Sequence, residues 1–310
     1  MIELKQLTKK YGTKIAVDSL SMVIHPGAVT GFLGPNGAGK STTIKMILGL
    51  VRPTSGAVLI DGSRYVRLAE PIRKIGALSD SSAINPKYTA RQHLELLAAA
   101  GGISNQRVDL LLQMTGLHQV QKREVGEFSL GMRQRLGIAG ALLGDPETVI
   151  LDEPFNGLDV DGIKWLRSLI KDLAKQGKAV FVSSHLMSEV EAVADRIVVL
   201  AEGRLVADLT VEELAQASLS SHVRVRSEDN GTLAVILQEL GGIVQQRSLD
   251  TLSVQGLEME EIGRAAYRNN LAILELTAVR PTLEDLFVEL TAGRVEFQGK
   301  ALIDGGGELE

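Results

Sequence analysis

The stretch Gly34-Pro35-Asn36-Gly37-Ala38-Gly39-Lys40-Ser41 restricts what this chain can fold into more than any other part of it. It fits the pattern G-x-x-x-x-G-K-[ST]. The apolar run from Ala28 to Leu33 precedes it, and a helical pattern from Ser41 to Leu48 follows. A buried strand that empties through a glycine-rich turn into a helix makes a cradle for phosphate. The glycines let backbone N–H groups point inward, and the helix N-terminus favours negative charge. Lys40 then reaches the β- and γ-phosphates as a point charge, and the Ser41 hydroxyl holds Mg²⁺.

The surrounding pattern is α/β. Thr148 to Leu151, Ala179 to Ser183 and Arg196 to Leu200 are short apolar runs of the kind buried on both faces of a parallel sheet. Helical patterns lie between them, from Gly162 to Lys175 and from Ser188 to Ala194. The acidic pair Asp152-Glu153 directly follows the first of these runs, after Val149-Ile150-Leu151. Ligands of open α/β sheets bind at the C-terminal ends of strands. An acidic pair delivered there suits Mg²⁺ ordering by Asp152 and activation of a water by Glu153. Standing alone, the pair reads equally well as two solvated acids; beside Lys40 and Ser41 it reads as chemistry.

Composition narrows the class. Of 310 residues, 45% are apolar and 23% charged, enough for a sizeable core and too apolar for disorder throughout. The net charge is −5, against a general electrostatic nucleic-acid binder. There is no cysteine, which removes disulfides and thiolate zinc sites. No apolar run approaches the roughly 18 residues that span a bilayer, and Met1-Ile2-Glu3-Leu4-Lys5 does not open a secretory signal.

A third motif, Phe128-Ser129-Leu130-Gly131-Met132-Arg133-Gln134-Arg135, leads a helical run. With Tyr11, the Gly34 to Ser41 loop, Asp152-Glu153-Pro154, Gly157-Leu158-Asp159 and His185, it stands in the order and spacing of ATP-binding-cassette (ABC) ATPases, which the chain resembles over residues 1 to about 210. The resemblance implies a P-loop NTPase core of RecA-like type, with an antiparallel β subdomain and a helical insertion. It also implies head-to-tail pairs, in which ATP on one copy is capped by Ser129 and Gly131 of the other. Thr42 joins the phosphate-binding residues, Asp159 bridges the copies, His185 contacts the γ-phosphate, and Tyr11 stacks on adenine. Ser129 is equally an ordinary helix N-cap, and the two roles are compatible. The chain departs from the family pattern at Leu130, where Gly is usual, and at Met132, where Gln is usual. Asp80 falls where a Gln usually senses Mg²⁺, and is the third departure.

The expected domains are a nucleotide-binding domain over 1–212, with a helical subdomain at about 89–143, then an α+β accessory domain over 213–291 and a flexible tail over 292–310. The accessory domain reads β-α-β-β-α-β, a ferredoxin-like order. Its end, Arg280 to Thr291, resembles the closing segment of ABC-2-type exporter ATPases, including drug-resistance and antibiotic-export subunits. The spacing predicts an amphipathic helix in that segment, capped by Thr282, with Leu283, Leu286, Phe287 and Leu290 on one face, to pack on the small domain or, secondarily, to make a dimer contact.

One phosphate loop excludes the tandem architecture of ribosome-acting relatives, the short span from Ser41 to Ser129 excludes a long coiled coil, and the lack of cysteine excludes the excision-repair type. What remains is the nucleotide-binding subunit of a membrane transporter: an Mg²⁺-dependent ATPase at the cytoplasmic membrane face, powering a separate permease that docks near Ser82 to Arg91. A regulatory module whose ATP-driven dimerisation acts on a soluble partner is the alternative.

Overall fold

The structure is a computed structural model that describes residues 1–79, 83–216, 222–248 and 250–279. Asp80, the helix expected from Thr282 and the tail expected over 292–310 lie outside the described residues. The described residues form two compact units, Met1–Val211 and the residues from Glu212 onward.

The first unit opens with β1 (Ile2–Tyr11), β2 (Lys14–Ile24), β3 (Val29–Leu33), α1 (Lys40–Ile47) and β4 (Ser55–Ile60). A three-stranded antiparallel sheet runs in the order β2-β1-β4. Its apolar side chains, among them Ile2, Leu4, Leu7, Leu20 and Ile24, join Phe32 and Ile44 in one buried cluster. The chain continues through α2 (Pro71–Lys74), β5 (Ile75–Leu78), α3 (Ala90–Gly101), α4 (Asn105–Met114) and α5 (Leu130–Ala141). Then come β6 (Thr148–Asp152), α6 (Val160–Lys175), β7 (Ala179–Ser184), α7 (Met187–Glu191), β8 (Arg196–Ala201) and β9 (Arg204–Thr210).

The second sheet runs β5-β6-β7-β3-β8-β9, parallel except for β9. Its parallel neighbours are distant in sequence and joined by crossovers, as parallel pairing requires, while β8 turns tightly into antiparallel β9. Strands β3, β6 and β7 are apolar and buried almost throughout, and the Phe32 and Phe181 rings meet with centroids 5.1 Å apart. Emptying either ring position costs about 3–5 kcal/mol, which fixes the sheet floor beneath the strand ends.

Helix boundaries follow caps. Thr89 and Gln92 form a reciprocal capping box at the start of α3. The helix expected from Gly162 begins two residues earlier, because Asp159 accepts from Gly162 N at 2.8 Å. The helix expected to reach Ala194 stops at Glu191. Asp195 exchanges hydrogen bonds with Val29, its carboxylate accepting from Val29 N at 2.8 Å, and this draws the chain out of the helix and into β8.

Past α8 (Val211–Gln216), the second unit contains β10 (His222–Ser227), α9 (Asn230–Glu239), β11 (Ile243–Ser248), β12 (Thr251–Gln255), α10 (Met259–Arg268) and β13 (Ile273–Val279). Its sheet runs β11-β12-β10-β13, with antiparallel neighbours. Val223, Val225, Leu252 and Val254 meet Leu233, Leu237 and Ile262 in a core of its own.

Candidate functional site

Three adjacent strands deliver the residues that the sequence singles out. β3, β6 and β7 run parallel, with Leu33 opposite Ser184 and Asp152 opposite Ser183. The glycine-rich loop leaves β3, the acidic pair leaves β6, and His185 leaves β7, all at C-terminal ends of one sheet.

The loop is shaped by positive φ at Gly37 (83°) and Gly39 (105°), conformations that cost a side-chain-bearing residue. Gly39 also passes so close to its neighbours that a Cβ there would lie 2.4 Å from Ala16 O. Gly39 caps α1 with no side-chain hydrogen bond, so the first N–H groups of α1 have no side-chain acceptor. An uncapped helix start in a buried turn fits phosphate oxygens, because those amides are the donors an anion needs. Thr43 Oγ1 donates back to Gly39 O at 3.0 Å and braces the turn.

Lys40 is 7% exposed. Its ammonium donates to Gly34 O at 2.6 Å and Pro35 O at 3.4 Å, so the loop's own carbonyls solvate the cation. Burial pushes its pKa below the ordinary lysine value, and the charges of Glu153 and Asp152 oppose that shift. Ser41, next along, is exposed at the first turn of α1.

Glu153 is held unusually. Its φ is +50°, left-handed for a residue with a side chain, which costs on the order of 1–2 kcal/mol. Its N–H donates to Ser183 O at 3.0 Å and Ser183 Oγ at 3.2 Å, while its carbonyl accepts from Gln134 Nε2 at 3.0 Å. Bonds on both sides offset the strain, at about 1 kcal/mol each. The carboxylate thus delivered accepts from His185 Nδ1 at 2.8 Å and His185 N at 3.3 Å, and lies 3.9 Å from Lys40 Nζ. Accepting from Nδ1 leaves Nε2 as the ring nitrogen for another partner. Asp152 accepts a short hydrogen bond from Ser183 Oγ.

Among the described residues no group of three His, Asp or Glu side chains converges to hold a metal ion alone. Ser41 and Asp152 supply hard oxygen donors, the set that suits Mg²⁺, which completes its shell with phosphate and water oxygens.

Ser129 caps α5, accepting from Met132 N at 3.2 Å. Gly131 lies against the loop that follows β6, where a Cβ would fall 2.7 Å from Gly157 O. Leu130 is 53% exposed and covers Gly157. Asp159 is exposed and caps α6. Tyr11 is 50% exposed at the end of β1, with Lys9 Nζ 4.8 Å from its ring centroid. Lys40, Glu153, His185 and Asp152 therefore come together. Ser129, Gly131 and Asp159 gather at two helix N-termini beside them. Sequence reasoning gave no role to Ser183, and marked Gln134 only as an unchanged member of the signature segment. Ser183 could have been noticed as a polar residue ending a strand of otherwise apolar character, whereas Gln134 lies between Arg133 and Arg135, where nothing marks it as buried.

Loop, acidic strand end and histidine on one sheet edge define the class: a P-loop nucleoside triphosphatase. Comparison with known proteins narrows it. The family described as ABC transporter matches residues 17–156, and a family described only as a domain of unknown function matches residues 221–284. The bacitracin transport ATP-binding protein BcrA of Bacillus licheniformis is 37% identical over 300 residues, covering 94% of this chain and 98% of that protein. The lantibiotic transport ATP-binding protein SrtF of Streptococcus pyogenes is 39% identical over 206 residues, covering 66% of this chain and 89% of that protein. A solved dimer of the bacterial ABC transporter cassette MJ0796 superposes with a TM-score of 0.63 at 29% identity, covering 68% of this chain and 99% of that one. The same cassette bound to ADP and Pi, in a post-hydrolysis state, gives a TM-score of 0.62.

The chain belongs to the ATP-binding subunits of ABC transporters. It is an Mg²⁺-dependent ATPase that pairs with a second cassette and powers a separate membrane permease. Among the described residues no helix is long and apolar enough to cross a membrane.

Proposed function

We propose that the Lys40–Glu153–His185 cluster is the hydrolytic centre of an ABC-2-type export ATPase held at the cytoplasmic face of the membrane. The observation that carries this reading is the Glu153 carboxylate, which stands between Lys40 at 3.9 Å and His185 at 2.8 Å beside the phosphate loop. The loop from Gly34 and Pro35 through Asn36, Gly37, Ala38 and Gly39 to Ser41 and Thr42 cradles the triphosphate, with every backbone N–H but that of Pro35, which has none, able to donate, and Lys40 binds its β- and γ-oxygens. Ser41 and Asp152 would hold Mg²⁺, which would supply charge neutralisation at the phosphate oxygens. Glu153 orients the attacking water and takes its proton as the water oxygen bonds to the γ-phosphorus. The bond from that phosphorus to the β–γ bridging oxygen breaks, and ADP leaves with the electron pair. His185, oriented by Glu153, contacts the γ-phosphate and helps hold the water. Tyr11 stacks on adenine. Ser129 and Gly131 present the start of α5 to the triphosphate on a second copy, with Asp159 at the junction.

The domain plan proposed with it is a nucleotide-binding domain to residue 212, with α3, α4 and α5 as its helical part, and an accessory domain from 213. Two relatives carry names that refer to bacitracin and lantibiotic transport, and so peptide antibiotics are the substrates to try first.

Glu153→Gln is the test, because it keeps shape and hydrogen bonding while removing the base. ATP binding is expected to persist while turnover falls about a hundredfold or more. Unchanged hydrolysis refutes the assignment.

A further inference from the structure

Gln134 sits in α5 with its side chain only 4% exposed. A buried amide of this kind is kept where it has a partner to satisfy. Its Nε2 donates to the carbonyl of Glu153, 19 residues away in sequence. That carbonyl closes a residue whose φ is +50° and whose N–H is already fixed by Ser183. Gln134 thus supplies the second of two backbone clamps on the left-handed turn. The same helix meets the same loop again further on, where Gly131 and Leu130 pack against Gly157.

We propose that Gln134 is a positioning residue for hydrolysis: by holding the Glu153 carbonyl it keeps the left-handed turn that aims the carboxylate at Lys40 and His185. The inference rests on the reading of Glu153 as the base. It adds a consequence that Glu153 alone does not carry. Gln134 rides on the helix whose capped first turn is offered to the triphosphate of the other copy. The geometry of one protomer's base therefore depends on where that protomer's α5 sits, and α5 is seated by the neighbour's nucleotide. Withdrawal of α5 would release the carbonyl and let the turn relax toward ordinary backbone angles.

Gln134→Met in the full chain keeps length and volume and removes the donor. The turnover number is expected to fall about tenfold or more, since a misplacement of about 1 Å in a reacting group can cost a hundredfold, while KM for ATP stays within about twofold. ATP-driven pairing, measured by light scattering in the Glu153→Gln background, is expected to be the same with and without Gln134→Met. A turnover number within about twofold of wild type overturns the proposal. So does loss of pairing in parallel with turnover, because Gln134 would then act by shaping the first turn of α5. If Gln134→Met fails to fold, Gln134→Asn replaces it: the amide remains but stops one methylene short of the carbonyl. The same split between turnover and KM supports the clamp, and wild-type turnover sinks it. Glu153→Gln separates the two readings. Full activity in that variant refutes the base itself, whereas a dead Glu153→Gln beside a fully active Gln134→Met refutes only the clamp.

Discussion

Replacing Lys40 by Met asks what the site's own cation does before any nucleotide arrives. The ammonium is 7% exposed and is solvated by one short bond to Gly34 O (2.6 Å) and one long bond to Pro35 O (3.4 Å). Burial is the largest influence on this ammonium and disfavours its charge, so methionine is spared a desolvation cost of roughly a few kcal/mol, part of which the lost attraction to Glu153 takes back. Losing the short charged hydrogen bond costs about 1.5–3 kcal/mol. The two nearly cancel, so the nucleotide-free variant is expected within about 2 kcal/mol of wild type, a shift below roughly 8 °C in Tm for a unit of this size. Affinity responds differently. The variant loses at least one charge-assisted contact to phosphate, about 1.5–3 kcal/mol, or roughly 10- to 150-fold in Kd.

The pH dependence gives an independent check. Burial holds Lys40 below its ordinary value of 10.5 in the free protein. A bound polyanion raises that value, so between the two the complex takes up a proton. Wild-type affinity should therefore fall with rising pH, by at most about one decade per pH unit, starting below the usual lysine range. The stability sign is the reverse: in that window the unfolded chain binds more protons than the folded one, so wild-type stability rises with pH. Calorimetric titration with MgATP from about pH 8 to pH 10 reads the slope. A Kd within about threefold of wild type, a Tm loss well beyond about 10 °C, or the same pH slope in Lys40→Met would refute the reasoning.

Two further perturbations test one edge of the site and the opposite end of the same strands. Gly131→Ala places a Cβ 2.7 Å from Gly157 O, so α5 or the loop must move by a few tenths of an ångström; ATP-driven pairing by light scattering is expected to weaken about tenfold, and unchanged pairing would count against this contact. Asp145 accepts from Lys178 at 3.0 Å and Arg107 at 3.2 Å, and the Lys178 bond chiefly holds its carboxyl below the usual range. Its contribution is present above the unfolded carboxylate value of about 3.9 and lost as pH falls through the folded value; because the side chain is mostly exposed it amounts to less than about 1 kcal/mol. Asp145→Asn, tolerated at φ +51°, should lower denaturant stability at neutral pH and leave it unchanged well below that transition; equal losses at both would refute the pairing.

The parallel sheet was legible because strands buried on both faces must be continuous apolar runs, and Thr148 to Asp152 and Ala179 to Ser184 are such runs. The hairpin of β1 and β2 was not legible strand by strand. Its apolar positions Ile2, Leu4 and Leu7 do not alternate. Gln6 at φ +46° and Ser19 at φ +51° are left-handed kinks in the two strands, and the register shifts beside each. Each irregularity moves the apolar set by one residue, and a period of two cannot survive that. Ser21 Oγ and Thr8 Oγ1 accept the N–H groups of Gln6 and Ser19, which shows how the lost ladder bonds are made good.

The site divides in the same way. Lys40, Ser41 and Asp152 stand out in the sequence because a phosphate loop and an acidic strand end carry set residue types at fixed spacing. Ser183 and Gln134 act on Glu153 through its backbone amide and carbonyl, groups that every non-proline residue carries, so no residue pattern around Glu153 announces them. The strain at Glu153 is equally silent, since an ordinary glutamate codon hides a left-handed φ that only the fold imposes. A glycine there would relieve the strain but lose the carboxylate. The chain keeps the carboxylate and clamps the backbone from β7 on one side and α5 on the other, so the turn that presents Glu153 is held by a helix far from it in sequence.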